Sequence, residues 1–229
     1  MVMRQIALDI AMPGPATLDN FFPGPNSAAH AHLQHLVQGQ HVPDALAVPT
    51  YLWGPEGSGK THLLRAVQEG LRARGASAGC MDASGAAPPD FDESWAMVLM
   101  DDVHLYCAEQ QHSAFGWFVQ AHSLQRPVLA AGSSAPADLL LREDLRTRLG
   151  WGHIFVLQPL GEAHSRAVLR QAADARGLFL SDEVMDYTLR RFSRDLGSLL
   201  ALLDELDRYA LQTQRAITIP LIRSMLENT

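Results

Sequence analysis

The chain has a single lysine, Lys60, which lies in the segment Gly54-Pro55-Glu56-Gly57-Ser58-Gly59-Lys60-Thr61. This segment is a complete G-x-x-x-x-G-K-T phosphate-binding loop. Because the other seventeen basic residues are all arginine, the one compact ammonium stands where it would lie along the β- and γ-phosphates of a nucleotide. The glycines would let backbone N–H groups face the phosphates, and the Thr61 hydroxyl would bind Mg²⁺. We therefore predict that the eight residues of this loop hold ADP or ATP.

Apolar runs typical of buried strands alternate with helical segments through the first two thirds of the chain. The loop follows the apolar run 48–53 and precedes a helical run at 61–74, which is the strand–loop–helix context that the motif requires. Further strands are predicted at 77–81, 95–100, 127–132 and 154–157, and further helices at 28–38 and 112–123. This alternation predicts an α/β fold with a parallel sheet.

After Pro159 the pattern is helical throughout, which indicates a second domain. Apolar periodicity predicts helices at 162–176, 181–191, 196–213 and 220–227, with Ser181 as an N-cap and Gly177 as a helix stop. We therefore predict an N-terminal tail (residues 1–19), a nucleotide-binding domain (20–158) and a small helical domain (159–229).

Two adjacent acids, Asp101 and Asp102, directly follow the apolar run 95–100. A nucleoside triphosphatase needs acids opposite its phosphate loop, where Asp101 can hold Mg²⁺ through water and Asp102 can orient or deprotonate the attacking water. Acidic pairs at strand ends are also common in ordinary loops. The combination with the phosphate loop favours the catalytic interpretation.

Composition excludes several classes of protein. No run of eighteen apolar residues suggests a membrane span, and the N-terminus lacks the features of a signal peptide, so we expect a cytoplasmic protein. Two cysteines, Cys80 and Cys107, are too few for a disulfide framework. The net charge of −7 argues against a protein whose main task is to bind DNA phosphates. His30 and His32 lack accompanying cysteines or carboxylates, so we interpret them as solvated or capping residues rather than metal ligands.

Five segments make the chain resemble the AAA+ ATPases, and more narrowly the DnaA-like family, which comprises the replication initiator DnaA and its short regulator Hda. The segments are LDNFFPGPN at 18–26, YLWG at 51–54, MDDV at 100–103, RTRLGWG at 146–152 and RAITIP at 215–220. The resemblance extends over nearly the whole chain from residue 17. It implies an αβα nucleotide-binding core with a helical lid domain. It also implies that the segment from Phe21 to Asn26, which includes Phe22, lies near the adenine.

The resemblance also implies a role for Arg148. In the family, the corresponding arginine is a finger presented to a nucleotide that a neighbouring subunit holds. A guanidinium that contacts developing charge on the γ-phosphate can raise hydrolysis by ~10³–10⁵-fold. The alternative is that Arg148 is a surface arginine without a functional role. The role of Arg146 in the same segment stays open.

The N-terminal segment 5–10 resembles the short peptide that docks on the bacterial sliding clamp, the β subunit of DNA polymerase III. Gln5 would hydrogen-bond in a small pocket, while Leu8 and Ile10 would fill an apolar cleft. Such a short pattern also arises by chance, in a first strand or a disordered tail. Its place ahead of a Pro- and Gly-rich stretch at 11–26 favours the clamp peptide.

Two departures from the family pattern concern hydrolysis in the chain's own site. Ser133 stands where the family has an acid after the fourth core strand, and Gly197 stands where the lid has an arginine that contacts nucleotide. Arg194, one helical turn earlier, is the candidate replacement. We therefore expect bound nucleotide, ADP or ATP with Mg²⁺, and slow hydrolysis of it.

Taken with the resemblance, these features predict a regulatory inactivator of DnaA that is bound to the DNA-loaded clamp and stimulates hydrolysis of DnaA-bound ATP through Arg148. DnaA carries an N-terminal interaction domain and a C-terminal helix-turn-helix domain that this sequence lacks, so we expect no sequence-specific DNA binding. Two alternatives stay open, a self-sufficient ATPase that helps or loads another replication protein and a non-catalytic adaptor between DnaA and the clamp. A homo-oligomer is also left open.

Overall fold

The computed structural model describes residues 16–39, 48–85, 88–192 and 196–227. They form two compact units, one running from Ala16 to Pro159 and the other from Leu160 onward. In this described part of the chain, none of the helices combines the length and the apolar character that a membrane crossing requires.

The first unit is built on a parallel five-stranded sheet with the strand order β2-β3-β4-β1-β5. The strands are β1 (Thr50–Trp53), β2 (Ala78–Met81), β3 (Met97–Met100), β4 (Val128–Gly132) and β5 (His153–Val156). All five fall within the predicted apolar runs or overlap them, which confirms the α/β prediction. Because β1 pairs with both β4 and β5, the segment that follows β1 emerges at an inner position of the sheet's carboxyl edge.

Helices cover both faces of the sheet. The helices α1 (Ser27–Gln38) and α2 (Lys60–Ala73) pack on one face, and α3 (Ala108–Ser123) and α4 (Glu143–Leu149) pack on the other. Neighbouring strand residues point to opposite faces, so buried Tyr51 belongs to the core under α3 and α4 while buried Leu52 belongs to the core under α1 and α2. This is an αβα sandwich.

Two helix boundaries differ from the sequence expectation. The helix α3 begins four residues earlier than predicted, because Cys107 and Gln110 form a capping box in which the Cys107 N–H donates to Gln110 Oε1 at 3.0 Å. Cysteine is not among the preferred N-cap residues, so no helix start was predicted at that position. The helix α4 was not predicted at all, because seven residues are too few to show helical periodicity.

The second unit consists of four helices, as predicted, in the part of it that the structure describes. They are α5 (Glu162–Ala175), α6 (Asp182–Arg191), α7 (Leu196–Thr213) and α8 (Ile219–Glu227). Ser181 caps α6 by accepting a hydrogen bond from the Val184 N–H, and Gly177 follows α5 with φ of +69°. The core of this unit is formed mainly by leucines of α7 together with apolar residues of the other three helices.

A reciprocal pair of hydrogen bonds joins the beginning of the first unit to its end. Asn26 is 4 % exposed, its amide donates to the Gln158 carbonyl at 2.9 Å, and its Oδ1 accepts the Gln158 N–H at 2.8 Å. Both polar atoms of a buried amide are thereby satisfied, which is the condition for burying such a group without a large free-energy cost.

His32 is packed against the sheet rather than solvated or capping, as the sequence had suggested. Its Nε2 lies 2.8 Å from Thr50 Oγ1, and its ring centroid lies 4.6 Å from that of His153. Burial, together with the nearby charges of His153 and His35, lowers the pKa of His32 to about 4. No group of three or more potential side-chain ligands able to hold a metal occurs among the described residues.

The His32 pKa predicts a loss of stability in mild acid. In the unfolded chain His32 has the ordinary pKa of about 6.5, so between about pH 6.5 and 4 the unfolded state binds more protons and stability falls as pH falls. We expect the free energy of unfolding to drop by about 1 kcal/mol more in the wild type than in His32→Gln between pH 7.0 and 5.5. Urea unfolding at both pH values measures this, with His122→Gln, at an exposed histidine of α3, as the control. Equal pH dependence in wild type and His32→Gln would contradict the prediction.

Candidate phosphate-binding site

The predicted phosphate loop connects the end of β1 to the start of α2. The Gly54 N–H donates to the Gly132 carbonyl at 3.4 Å, which joins the start of the loop to the end of β4. A Cβ at Gly54 would overlap the backbone oxygen of Leu157 after β5, so only glycine fits there. The loop is therefore seated against the ends of both strands that flank β1.

Lys60 is the most enclosed charge of the loop. It is 8 % exposed, and its Nζ donates to the carbonyls of Gly54 at 2.8 Å and Pro55 at 2.9 Å. Burial lowers the pKa of Lys60, while the negative charges of Asp102, Asp101 and Glu56 oppose that shift. The loop thus wraps around its own ammonium, and an ammonium has three N–H donors, of which two are used here.

Other groups of the loop fit an anion. The Ser58 hydroxyl is buried and has no hydrogen-bond partner in the described part of the chain. The helix α2 begins after Gly59, which has φ of +93° and no side chain to cap the first N–H groups. A helix N-terminus without a side-chain cap, a buried ammonium and an unsatisfied hydroxyl together favour phosphate oxygens. The residues present therefore fit the phosphates of a nucleotide.

The acidic pair lies beside this loop, at the end of β3. The Thr61 hydroxyl hydrogen-bonds to the carboxyl of Asp101. Burial raises the pKa of Asp101; the bond from Thr61 opposes this shift, and the charge of Asp102 adds to it. Thr61 and Asp101 are oxygen donors held together, which suits Mg²⁺.

Asp102 has a strained backbone. Its φ and ψ are 48° and 41°, in the left-handed region that few residues other than glycine adopt. Its N–H donates to Asp101 Oδ1 at 3.0 Å, and its carboxylate remains 41 % exposed. Backbone conformations of this kind are often found at functional positions.

Phe21 is an aromatic residue that packs against the loop. A Cβ at Gly59 would lie 2.8 Å from Phe21 Cε2, and the Phe21 ring stacks at 5.7 Å from His30 and lies 5.6 Å from His62. Phe22 is partly buried beside it. Both residues belong to the segment predicted to lie near the adenine, and the role of Phe22 there stays a prediction.

Arg148 lies elsewhere in the first unit, on α4. Its guanidinium carbon is 5.1 Å from the ring centroid of Phe115 on α3, and it lines a shallow cleft with Trp151 and His122. Within the described ranges, Arg148 forms no ion pair with an acidic side chain. Arg146 is half-buried on the same helix, two positions away and therefore on a different face.

The other residues predicted for the site lie after β4, on α7 or outside the described ranges. Ser133 follows β4, is exposed, and has its hydroxyl 3.4 Å from that of Ser134. Gly197 is the second residue of α7. The predicted clamp-binding residues and the candidate replacement for the lid arginine lie outside the described residues: Gln5, Leu8, Ile10 and Arg194.

The strand order, the glycine-rich loop between β1 and α2, the acids after β3 and the separate helical unit define a P-loop NTPase of the AAA+ class. A family model described as "Bacterial DnaA ATPAse domain" matches residues 14–80, and one described as "Hda, lid domain" matches residues 162–226. The chain belongs to the DnaA-like AAA+ family and is close to Hda.

Solved structures share this fold. Domain III of the replication initiation protein DnaA from Thermotoga maritima matches with a TM-score of 0.71 and 19% identity, over 95% of this chain and 98% of that one. AMPPCP-bound DnaA from Aquifex aeolicus matches with a TM-score of 0.68 and 20% identity, over 88% and 68%. The RuvB Holliday junction branch migration motor from Thermotoga maritima matches with a TM-score of 0.63 and 15% identity, over 93% and 72%. At these identities the likeness establishes the fold.

Two glycines of the loop make a matched test of its packing. We expect Gly54→Ala to lower the free energy of unfolding by more than about 2 kcal/mol, because the methyl group would meet a backbone oxygen that has no room to move. Gly57→Ala meets nothing within 4 Å, and its φ of +74° limits the cost to about 1 kcal/mol. Urea unfolding of the ligand-free protein measures both. Equal costs would show that the loop is not held against Leu157.

Proposed function

We propose that this protein is a regulatory inactivator of the replication initiator DnaA. In this proposal, residues 5–10 tether it to a sliding clamp loaded on DNA, and Arg148 reaches the ATP bound to a neighbouring DnaA. The guanidinium stabilises charge that develops on the γ-phosphate, so that DnaA passes to its inactive ADP form and chromosome replication is not re-initiated. The proposed setting is the cytoplasm.

The observation that supports this proposal most is the state of Arg148. Its guanidinium is partly exposed, has no acidic partner among the described residues and rests on an aromatic ring. A surface arginine without an acid is free to form charge-assisted hydrogen bonds with an anion of another protein. Next to it, Trp151 is 61 % exposed, and exposed tryptophan and arginine together are typical of protein–protein contact surfaces.

The family assignment suggests which protein is the partner of Arg148. A DnaA-like ATPase domain joined to an Hda-type lid suggests that the nucleotide reached by Arg148 belongs to DnaA. The clamp remains a proposal from the sequence pattern at Gln5, Leu8 and Ile10. The net charge of −7 is consistent with a protein that reaches DNA through the clamp rather than by itself.

We further propose that the loop of this chain holds its own nucleotide, ADP or ATP with Mg²⁺. DnaA structures with this fold are described as bound to AMPPCP, and the loop has the donors that phosphates need. Lys60 and the N–H groups of α2 bind phosphate oxygens, while Thr61 and Asp101 hold the metal and Asp102 orients water. Mg²⁺, when bound, supplies charge neutralisation. Ser133 offers an exposed hydroxyl where the family has an acid, which supports slow hydrolysis in this site.

The finger predicts a loss of stimulated hydrolysis in Arg148→Ala. We expect the protein to accelerate single-turnover hydrolysis of labelled ATP preloaded on DnaA when DNA-loaded clamp is present. Arg148→Ala should lower the stimulated rate by ~10³-fold or to the unstimulated level, whichever is reached first. The control is Arg72→Ala, since Arg72 is 76% exposed on α2 and, within the described ranges, has Glu69 as its one ion-pair partner.

The same assay tests the tether and the alternatives. Deletion of residues 1–10 should remove stimulation at low protein concentration. Full stimulation by Arg148→Ala would rule out the finger. Binding to DnaA without any change in its hydrolysis would point to an adaptor, and appreciable ATP turnover without DnaA would point to a helper or loader.

The loop predicts a requirement for Lys60 in nucleotide binding. A lost charge-assisted hydrogen bond costs about 1.5–3 kcal/mol, so we expect Lys60→Ala to weaken binding of Mg·ADP by at least about tenfold. Isothermal titration calorimetry measures this, with Arg72→Ala as the charge-matched control on the same helix. Wild-type affinity in a folded Lys60→Ala protein would refute the assigned role of the loop.

A further inference from the structure

Helix α4 places an acid where it should pair with Arg148. Asp144 lies four residues before Arg148, and side chains at that spacing meet on one face of a helix. An Asp–Arg pair at this spacing is ordinarily favourable. Such a pair would neutralise the guanidinium of Arg148 and hold the Arg148 side chain against α4.

The structure shows a different partner for Asp144. Its Oδ2 lies 2.7 Å from Nη2 of Arg142, the residue just before α4, and its Oδ1 accepts the Leu145 N–H at 2.8 Å. Both oxygens of the carboxylate are therefore engaged. Asp144 is therefore paired with Arg142, and Arg148 has no acidic partner among the residues that the structure describes.

Helix α3 holds Arg142 in this place. The Arg142 N–H donates to Oε1 of Gln111 at 2.9 Å, and Nη1 of Arg142 lies 3.2 Å from Nδ1 of His112. Arg142 is thus fixed at its backbone and at its guanidinium, so its pairing with Asp144 does not depend on the freedom of a long side chain.

Helix α3 also provides the surface on which Arg148 rests. The guanidinium carbons of Arg148 and Arg142 lie 5.1 Å and 5.6 Å from the ring centroid of Phe115. One ring therefore attracts two cations, of which Arg142 is neutralised by Asp144 and Arg148 is not. Phe115 is half-buried and lies outside the packed core of the unit.

We propose that Phe115 and Arg142 are positioning residues for Arg148. The ring of Phe115 supports the guanidinium, while Arg142 occupies Asp144 and so keeps Arg148 unpaired and ready for an anion of the partner. The inference rests on the proposed function, because its readout is the hydrolysis that Arg148 stimulates. Neither positioning residue contacts the reacting phosphate in this proposal.

The support from the ring is tested by Phe115→Leu and Phe115→Tyr. A cation–π contact of this kind corresponds to about a two- to fivefold effect. We expect Phe115→Leu to lower the maximal stimulated rate of DnaA-bound ATP hydrolysis by that factor, with little change in the half-saturating concentration. Phe115→Tyr keeps an aromatic face and should retain the wild-type rate. Equal rates for the leucine and tyrosine variants would overturn the role of the ring.

The role of Arg142 is tested by releasing Asp144. In Arg142→Gln, Asp144 becomes free to pair with Arg148, and we expect the maximal rate to fall by about two- to fivefold. The double variant Arg142→Gln/Asp144→Asn has no acid to pair with Arg148 and should recover most of the rate. A double variant as slow as Arg142→Gln would overturn the role assigned to Arg142.

Variants in an Arg148→Ala background separate this inference from the proposed function. If Arg148→Ala leaves stimulation intact, the finger role that the proposed function gives to Arg148 fails. If Arg148→Ala abolishes stimulation while Phe115→Leu and Arg142→Gln behave as wild type, only the positioning inference fails. Residual binding to DnaA, measured in the same background, should be unchanged by Phe115→Leu, because a positioning residue has no effect once its target is absent.

Discussion

The hydrogen bonds from the Lys60 ammonium to the carbonyls of Gly54 and Pro55 set the shape of the phosphate loop. A buried charge must have polar partners or its burial costs several kcal/mol, and here the loop supplies them from its own backbone. This closure fixes where α2 begins, and α2 in turn carries Thr61 to its bond with Asp101. Because the partners of Lys60 are backbone carbonyls rather than acids, negatively charged oxygens would offer the ammonium stronger acceptors than those it now has.

Elements whose determinants are local in sequence were predictable. The strands of a parallel sheet are buried on both faces, so β1, β3 and β4 appear as continuous apolar runs. The helices of the second unit are amphipathic and were found from their periodicity. The short helix α4 had too few residues for such a signal. The unusual cap of α3 at Cys107 hid its true start.

The environment of Arg148 was not predictable from the sequence for a different reason. Phe115 and Arg148 are contributed by two helices that are distant in the chain, and no local pattern specifies which exposed phenylalanine meets which arginine. The same holds at the phosphate loop, where Phe21 packs against Gly59, a residue distant from it in the chain. Sequence motifs identified the residues proposed to bind nucleotide and to act on a partner. The contacts that surround these residues became known only from the folded structure. The ammonium of Lys60 is enclosed by backbone carbonyls of the phosphate loop. Arg148, which is proposed to act on a partner, is not paired with Asp144 on the same helix.

The position of β1 in the sheet has a consequence for synthesis on the ribosome. Both of its neighbours, β4 and β5, come much later in the chain, and Asn26 finds its buried partners only at Gln158. Contacts of such long sequence separation form late and slowly, because the intervening chain must first lose its freedom. The nascent first unit therefore leaves the exit tunnel with β1 unpaired, and it reaches its native pairing only after residue 158 has emerged. A ribosome that pauses before β4 has emerged therefore leaves the apolar strand Tyr-Leu-Trp without either of its neighbouring strands.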